Sequence, residues 1–408
     1  MIFYVNSKGV NKMKYPVIIS ALFLMLVAIT NSFSQSKNSS KIIPEPVLIK
    51  YLDGRCSVTD LTKIYLPGDS VRNSNLPHIL SELFYKNTGI RPVVIISTDK
   101  NVRSGLNLIL NAKRDSTIRE EGYNLTVEKE IIKIAANTEA GLFYGFQTLL
   151  QLIPPGNEDN IPSMHKKIEI PCVEIIDYPR FQWRGLMLDV CRHFFTIEEV
   201  KRMIDEMVQY KFNILHLHLS DDQGWRIEIK ELPELTETGA WRVPRSGLWW
   251  EREPPAEGEP ASCGGFYTQE QIIDLVKYAS ERHVQILPEI DVPGHSRAAI
   301  ASYNYLSCTK LPYEVNPGSF FQDTIGYPYS SVNLCPGQEG TYEFLEKVFK
   351  EVAQLFPFEY IHVGGDEAFK GFWAECDSCK KTMADNNLGN TDELQSYFIK
   401  RVENILRS

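Results

Sequence analysis

From residue 184 onward, short apolar runs of strand length alternate with amphipathic stretches of helical length, and this rhythm leaves few folds open. RGLMLDV (184–190), NILHLHL (213–219), VQILPEI (284–290) and YIHV (360–363) read as strands. Between the first two, Thr196-Ile-Glu-Glu199 is a capping box that opens a helix with Val200, Met203, Ile204, Met207 and Val208 on one face. Thr268-x-x-Gln271 opens the next, with Ile272, Leu275, Val276 and Ala279 inward, and a third carries Phe344, Leu345, Val348, Phe349 and Val352. Helical stretches at about 369–385 and 392–407 follow. Such alternation implies a parallel sheet with helices outside it. Long connections follow the second and third strands, as in a β/α barrel whose post-strand loops build the site. An open doubly wound sheet would also bind ligands at its strand ends. However, the chain has neither a GxGxxG nor a GxxxxGK[ST] phosphate loop.

Ahead of Pro179 the pattern is different. Residues 93–97 and 106–110 are short strands, and 123–135 reads as two strands around Glu128-Lys129-Glu130. A helix spans Thr138 to Ile153, with Leu142, Phe146, Leu149, Leu150 and Ile153 on one face. Asn137-Thr138 caps its start and Pro154-Pro155-Gly156 ends it. Residues 42–178 therefore form an α+β accessory domain without convergent polar groups, and residues 179–408 a β/α domain. At the N-terminus, Lys12 and Lys14 precede the mostly apolar run from Val17 to Ile29, and Ser32 and Ser34 precede Gln35. This is the layout of a signal peptide over residues 1–34, with Met13 as the natural start. The chain is then exported to periplasm, cell surface or medium. The run is shorter than the roughly 20 apolar residues a span needs, so no membrane span remains after cleavage. A net charge of −9 argues against a nucleic-acid partner.

Polar residues crowd the strand ends: Asp189, Asp221, Asp222, Glu289, Asp291, His295, Asp366 and Glu367. In His362-Val-Gly-Gly-Asp366-Glu367 two glycines allow a tight turn that brings adjacent carboxyls into one pocket. Close like charges raise one pKa, which makes a general acid beside a carboxylate. In a strand, His216 and His218 share a face and could bind a metal with Asp221, or lie buried and hydrogen-bonded inside a barrel. Pro293-Gly294 can aim His295 back over the strand ends. Arg184 opens the first strand and Arg192-His193 follows its end; an arginine at a barrel rim calls for a carboxylate or substrate partner. Trp225, Trp241, Trp249 and Trp250 could stack on sugar faces or simply pack. Eight cysteines are too few for a disulfide scaffold. Cys376-x-x-Cys379 reads as a metal half-site, a redox pair or a local bridge, and no second pair at zinc-finger spacing accompanies it.

The segment FQWRGLMLDVCRHF (181–194), with HLHLSDDQGWR, PEIDVPGH and HVGGDE in that order, resembles glycoside hydrolase family 20, the β-N-acetylhexosaminidases. The stretch EGYNLTVEKEIIKIAANTEAGLFYGFQTLLQ resembles the family's accessory domain. The resemblance implies exo-acting, retaining hydrolysis of terminal β-linked N-acetylglucosamine or N-acetylgalactosamine by substrate-assisted catalysis. It implies Glu367 as general acid/base and Asp366 as the group that orients the 2-acetamido. His295 and Asp221 would form a supporting relay, and Arg184 would grip sugar hydroxyls. N-acetylhexosamine-containing glycans are the implied partners, with no cofactor and no metal. The implied fold is a (β/α)8 TIM-type barrel, of which about the first four β/α units are present. On that count the chain is C-terminally truncated. The alternatives are a sugar-binding or split-gene fragment that needs a complementing chain, and a metal-dependent hydrolase using His216 and His218.

Overall fold

Two parallel or mixed sheets organise the chain in a computed structural model that describes residues 41–68, 74–97, 103–154, 167–323 and 325–408. The signal segment expected over residues 1–34 lies outside these. The first sheet is built from β1 (Leu48–Thr59), β2 (Lys63–Pro67), β3 (Val93–Ser97), β4 (Gly105–Leu110), β5 (Tyr123–Val127), β6 (Ile131–Ala136) and β7 (Lys167–Asp177). Its order is β1-β7-β5-β6-β4-β2-β3. The pairs among β1, β7, β5 and β6 are antiparallel; those among β6, β4, β2 and β3 are parallel. The turn at residues 128–130 joins β5 to β6 as the sequence suggests. β1, β2, β7 and helix α1 (Leu76–Thr88) were not singled out from sequence. Most of β1 is exposed, so it carries no clean alternation to read.

Helix α2 (Glu139–Leu152) starts where Thr138 accepts from the Gly141 amide at 3.2 Å. It is buried nearly all round, with Phe143, Tyr144, Gln147 and Thr148 as enclosed as the predicted apolar face. The reason is that α2 is an inner layer. It packs on β4, β5 and β6, and also against α1 and helix α3 (Ile197–Gln209) of the second half.

The second half contains β8 (Gly185–Asp189), β9 (Ile214–His218) and β10 (Gln285–Glu289), parallel and in the order β8-β9-β10. Around them run α3, α4 (Gln269–Ser280), α5 (Glu339–Leu355), α6 (Asp377–Asp385) and α7 (Thr391–Arg407). Both capping boxes are formed, and Val200, Ile204, Met207 and Val208 are buried as their spacing requires. The expected fourth strand is reduced to one bridge, His362 to Glu289, also parallel. The His362 amide donates to Pro288 O at 2.9 Å, and the Ile290 amide donates to His362 O at 3.0 Å. Pairing stops there because Gly364 and Gly365 both turn to positive φ and lead the chain away. The expected helix at 369–385 is split at Cys376, whose backbone is extended, into a turn at 371–375 and α6. Among the described residues no helix is long and apolar enough to cross a membrane.

The two sheets belong to one compact unit, Pro46–Ser408. A buried polar tie joins them. Lys211, at φ +62° after α3, donates from Nζ to Asp177 Oδ2 at 2.7 Å and to the Tyr123 hydroxyl at 2.8 Å. That hydroxyl donates in turn to Asp177 Oδ2 at 2.8 Å. The lysine and aspartate side chains are only 9% and 11% exposed. Removing one partner of such a pair leaves a buried charge uncompensated. Lys211→Met is expected to lower the unfolding free energy by about 3–5 kcal/mol in urea titrations, and adding Asp177→Leu should recover much of the loss. A single-variant loss near zero would show that the tie contributes nothing.

Candidate active site

Register builds the site. In-register pairing sets Asp189 of β8 beside His218 of β9, His218 beside Glu289 of β10, and Glu289 beside His362. All four stand at the C-terminal ends of parallel strands. Glu289 Oε2 lies 2.5 Å from His218 Nδ1 and 2.8 Å from His216 Nε2, while Oε1 lies 2.9 Å from His362 Nδ1. Burial alone would raise the Glu289 carboxyl, but His216 and His218 hold it below its ordinary value. His218 Nε2 reaches Asp221 Oδ2 at 2.7 Å. Burial opposes a charge on His218, yet Asp221 and Glu289 raise it to about 10. Both its ring nitrogens face carboxylates.

The second layer leads to the acid pair. Asp221 is fully buried; Arg192 Nη2 approaches its Oδ2 at 2.8 Å and His295 Nδ1 its Oδ1 at 3.3 Å. Burial pushes Asp221 up, but His218, His295 and Arg192 bring it down to about 2. Asp221 and Asp222 raise His295 to about 11 against its desolvation, so it is a cation at neutral pH. Its Nε2 faces Glu367 Oε2 at 3.4 Å and Asp366 Oδ2 at 3.9 Å. The structure thus aligns Asp221, His295 and Glu367. Asp366 and Glu367, expected from sequence to enter one pocket, have side chains 67% and 79% exposed at the strand-end face. Glu367 borders a cleft of about 720 Å³ with Tyr327, Pro328, Phe369 and Phe372.

Two non-glycine positions on two different strand-end loops are strained: Glu367 has φ +46° and His295 φ +47°. Such residues persist only where surrounding contacts over-determine them, and they concentrate at functional sites. Gly364, at φ +62°, is irreplaceable on space as well, since a Cβ there would lie 1.7 Å from Asp291 Oδ1. That same Oδ1 accepts from the Gly365 amide at 3.1 Å.

Comparison with known proteins covers both halves of the chain. Residues 181–408 match the catalytic domain of glycosyl hydrolase family 20, and residues 39–178 match that family's domain 2. The chain belongs to glycosyl hydrolase family 20. It is 38% identical over 370 residues to a beta-hexosaminidase of Porphyromonas gingivalis, covering 90% of this chain and 44% of the relative. A beta-hexosaminidase of Vibrio furnissii is 37% identical, with 90% and 55% covered. A crystal structure of an exo-β-N-acetylglucosaminidase from Vibrio harveyi, in complex with N-acetylglucosamine, superposes with a TM-score of 0.72 at 34% identity. That alignment covers 91% of this chain and 53% of the other. The chain spans about half the length of the curated relatives it matches.

Within the family 20 chain, one expected site residue falls elsewhere. Arg184 precedes β8, at the end of the strand opposite Asp189, about 16 Å away at roughly 3.3 Å per residue. Its Nη1 pairs with Glu121 at 2.8 Å, its Nε donates to Lys211 O at 2.7 Å, and its guanidinium lies over the Tyr144 ring. Arg184 therefore ties the second half to the accessory sheet and cannot touch a sugar at Glu367. The guanidinium at the site is that of Arg192, 43% exposed, which also pairs with Asp189 at 3.0 Å. Position past the strand end was the signal that separates the two arginines. Of the tryptophans, Trp225 is buried and donates to Ile227 O, whereas Trp249 and Trp250 remain half-exposed beside Phe320.

Two outcomes follow from the loop. Gly364→Ala is expected to cost about 1–3 kcal/mol and to lower the melting temperature, because both φ and space oppose it. Burial, partly countered by the Gly365 amide, raises Asp291 to about 7 from its ordinary 3.8. An acid raised on folding stabilises fully below its unfolded pKa and loses that contribution as pH climbs through the folded one. Melting curves of the wild type should therefore lose stability between pH 4 and 7 relative to Asp291→Asn, which keeps the neutral form. Parallel curves for the two proteins over that window would refute the assignment.

Proposed function

We propose that this chain supplies the acid/base part of an exo-acting, retaining β-N-acetylhexosaminidase site, acting by substrate-assisted catalysis on N-acetylhexosamine-containing glycans. The observation that carries the reading is the exposed Glu367 at a cleft, with cationic His295 and buried Asp221 aligned behind it. In the first step the acetamido carbonyl oxygen of the terminal sugar attacks its anomeric carbon. The glycosidic bond breaks, and Glu367 gives its proton to the departing oxygen. Asp366 orients the acetamido N–H and balances the charge that develops on the resulting ring. In the second step Glu367, now a carboxylate, takes a proton from water as that water attacks the same carbon, and the bond from that carbon to the acetamido oxygen breaks, restoring the acetamido group. Two displacements on one carbon retain its configuration. His295 gives the Glu367 carboxyl a fixed charged neighbour, and Asp221 fixes His295. Arg192, not Arg184, is the cation placed to grip sugar hydroxyls.

We further propose that β8, β9, β10 and the strip at His362 are four neighbouring strands of a (β/α)8 barrel whose remaining strands, from the same or a second polypeptide, complete the sugar pocket. Support comes from β8, where Leu186 and Met187 are 37% and 46% exposed. A barrel strand would bury such residues against neighbours. The N-terminal signal layout supports export of the protein.

Release of p-nitrophenol from p-nitrophenyl N-acetyl-β-glucosaminide tests the assignment. Glu367→Gln should lower whatever rate the wild type shows by about 10²–10⁴-fold. Arg192→Ala should raise KM, while Arg184→Ala should lower stability with KM little changed. Activity that survives Glu367→Gln would sink the reading. A folded chain with no activity supports the need for the remaining strands.

A further inference from the structure

Four cysteines from separate segments converge away from the acid pair. Cys308 and Cys335 lie in the long connection between β10 and α5, and Cys376 and Cys379 at the start of α6. Their sulfurs stand 3.8 Å apart for Cys308 and Cys379, 3.6 Å for Cys335 and Cys379, and 3.8 Å for Cys335 and Cys376. All four Sγ atoms lie within 4.8 Å of one another. A zinc ion with four Zn–S bonds of about 2.3 Å sets its sulfurs about 3.8 Å apart, the edge of the tetrahedron. A disulfide needs about 2.05 Å. Cys335 stands at nearly the same distance from Cys376 and from Cys379, so the packing selects no pairing. The sulfur arrangement is that of one shared centre.

We propose that Cys308, Cys335, Cys376 and Cys379 form a closed structural site for one zinc ion. On binding, the four thiols release their protons to solvent and each sulfur donates a lone pair to the ion, which leaves no open coordination position. The surroundings suit such a centre. Trp373 and Leu394 are buried against the cysteines, and Met383, Leu388 and Tyr397 pack around them. The Trp373 indole donates to Leu334 O at 3.0 Å. Backbone from the two sides meets directly, because a Cβ on Gly337 would lie 2.4 Å from the Cys379 amide. The Cys-x-x-Cys pair thus finds its second pair across a sequence gap of 41 and more residues. Such gaps match no zinc-finger spacing, so the chain read alone does not reveal the set. The centre would fasten the loop that carries His295 to the segment that follows Glu367, and so fix the acid loop from behind.

The test uses the full chain, purified reduced and without chelator. Elemental analysis should find about one zinc per chain, and the four thiols should react with Ellman's reagent only after a chelator strips the metal. Cobalt substitution should give a sulfur-to-metal charge-transfer band. Cys376→Ser, at a partly exposed position, should abolish that band or sharply lower the stoichiometry, while Cys56→Ser, remote from the cluster, should change neither. The proposal is overturned by a reduced chain that neither retains zinc nor takes it from a chromophoric chelator. An intact mass four hydrogens low, which signals two disulfides, also overturns it. So does metal whose stoichiometry and cobalt spectrum are indifferent to Cys376→Ser, which places the ion elsewhere. None of these readouts depends on glycosidase activity.

Discussion

A single buried carboxylate, that of Glu289, organises the strand ends. Alone in such a place it would surrender its charge to a proton. It keeps the charge because imidazoles from β9 and from the segment beyond β10 converge on it. The parallel register makes this possible, since only in-register neighbours put His218, Glu289 and His362 side by side. From Glu289 the charges alternate outward through His218 and Asp221 to His295, which faces the exposed Glu367. Each of the four inner groups has an opposite charge as neighbour, so they are stable together where any one of them by itself would not be.

How far this was legible in the sequence differs from element to element. The capping boxes at Thr196 and Thr268 announced α3 and α4 because their chemistry is local. The polar clusters after the strands were legible because strand direction alone decides that they gather at one end. Asp221, His295, Asp366 and Glu367 lie together at one strand end. The environment of Asp366 and Glu367 was not legible, since exposure depends on what covers a loop rather than on the loop itself. Arg184 was misplaced for a related reason. A strand has two ends, and an arginine just before it faces the opposite way from one just after it.

β1 escaped notice because an edge strand left largely exposed shows no regular alternation, and both β1 and β7 pair with partners remote in sequence. The fourth strand was overestimated because YIHV has a strand's composition, while the two glycines that follow decide how little of it can pair. The four cysteines show the same limit most sharply. Their proximity is a property of tertiary packing between a long loop and a broken helix, and no spacing rule along the chain contains it.

The Tyr123–Asp177–Lys211 tie bears on how such a protein can evolve. Asp177 ends the last strand of the accessory sheet, and Lys211 leaves the first helix of the catalytic part, so one ion of the pair comes from each side of the seam. Exchange of either half for an unrelated module would bury a lysine without its acid, or an acid without its lysine. Recombination at this boundary is therefore penalised by electrostatics, whatever the fate of the active site. Through this tie the accessory sheet is part of the scaffold on which the catalytic part rests.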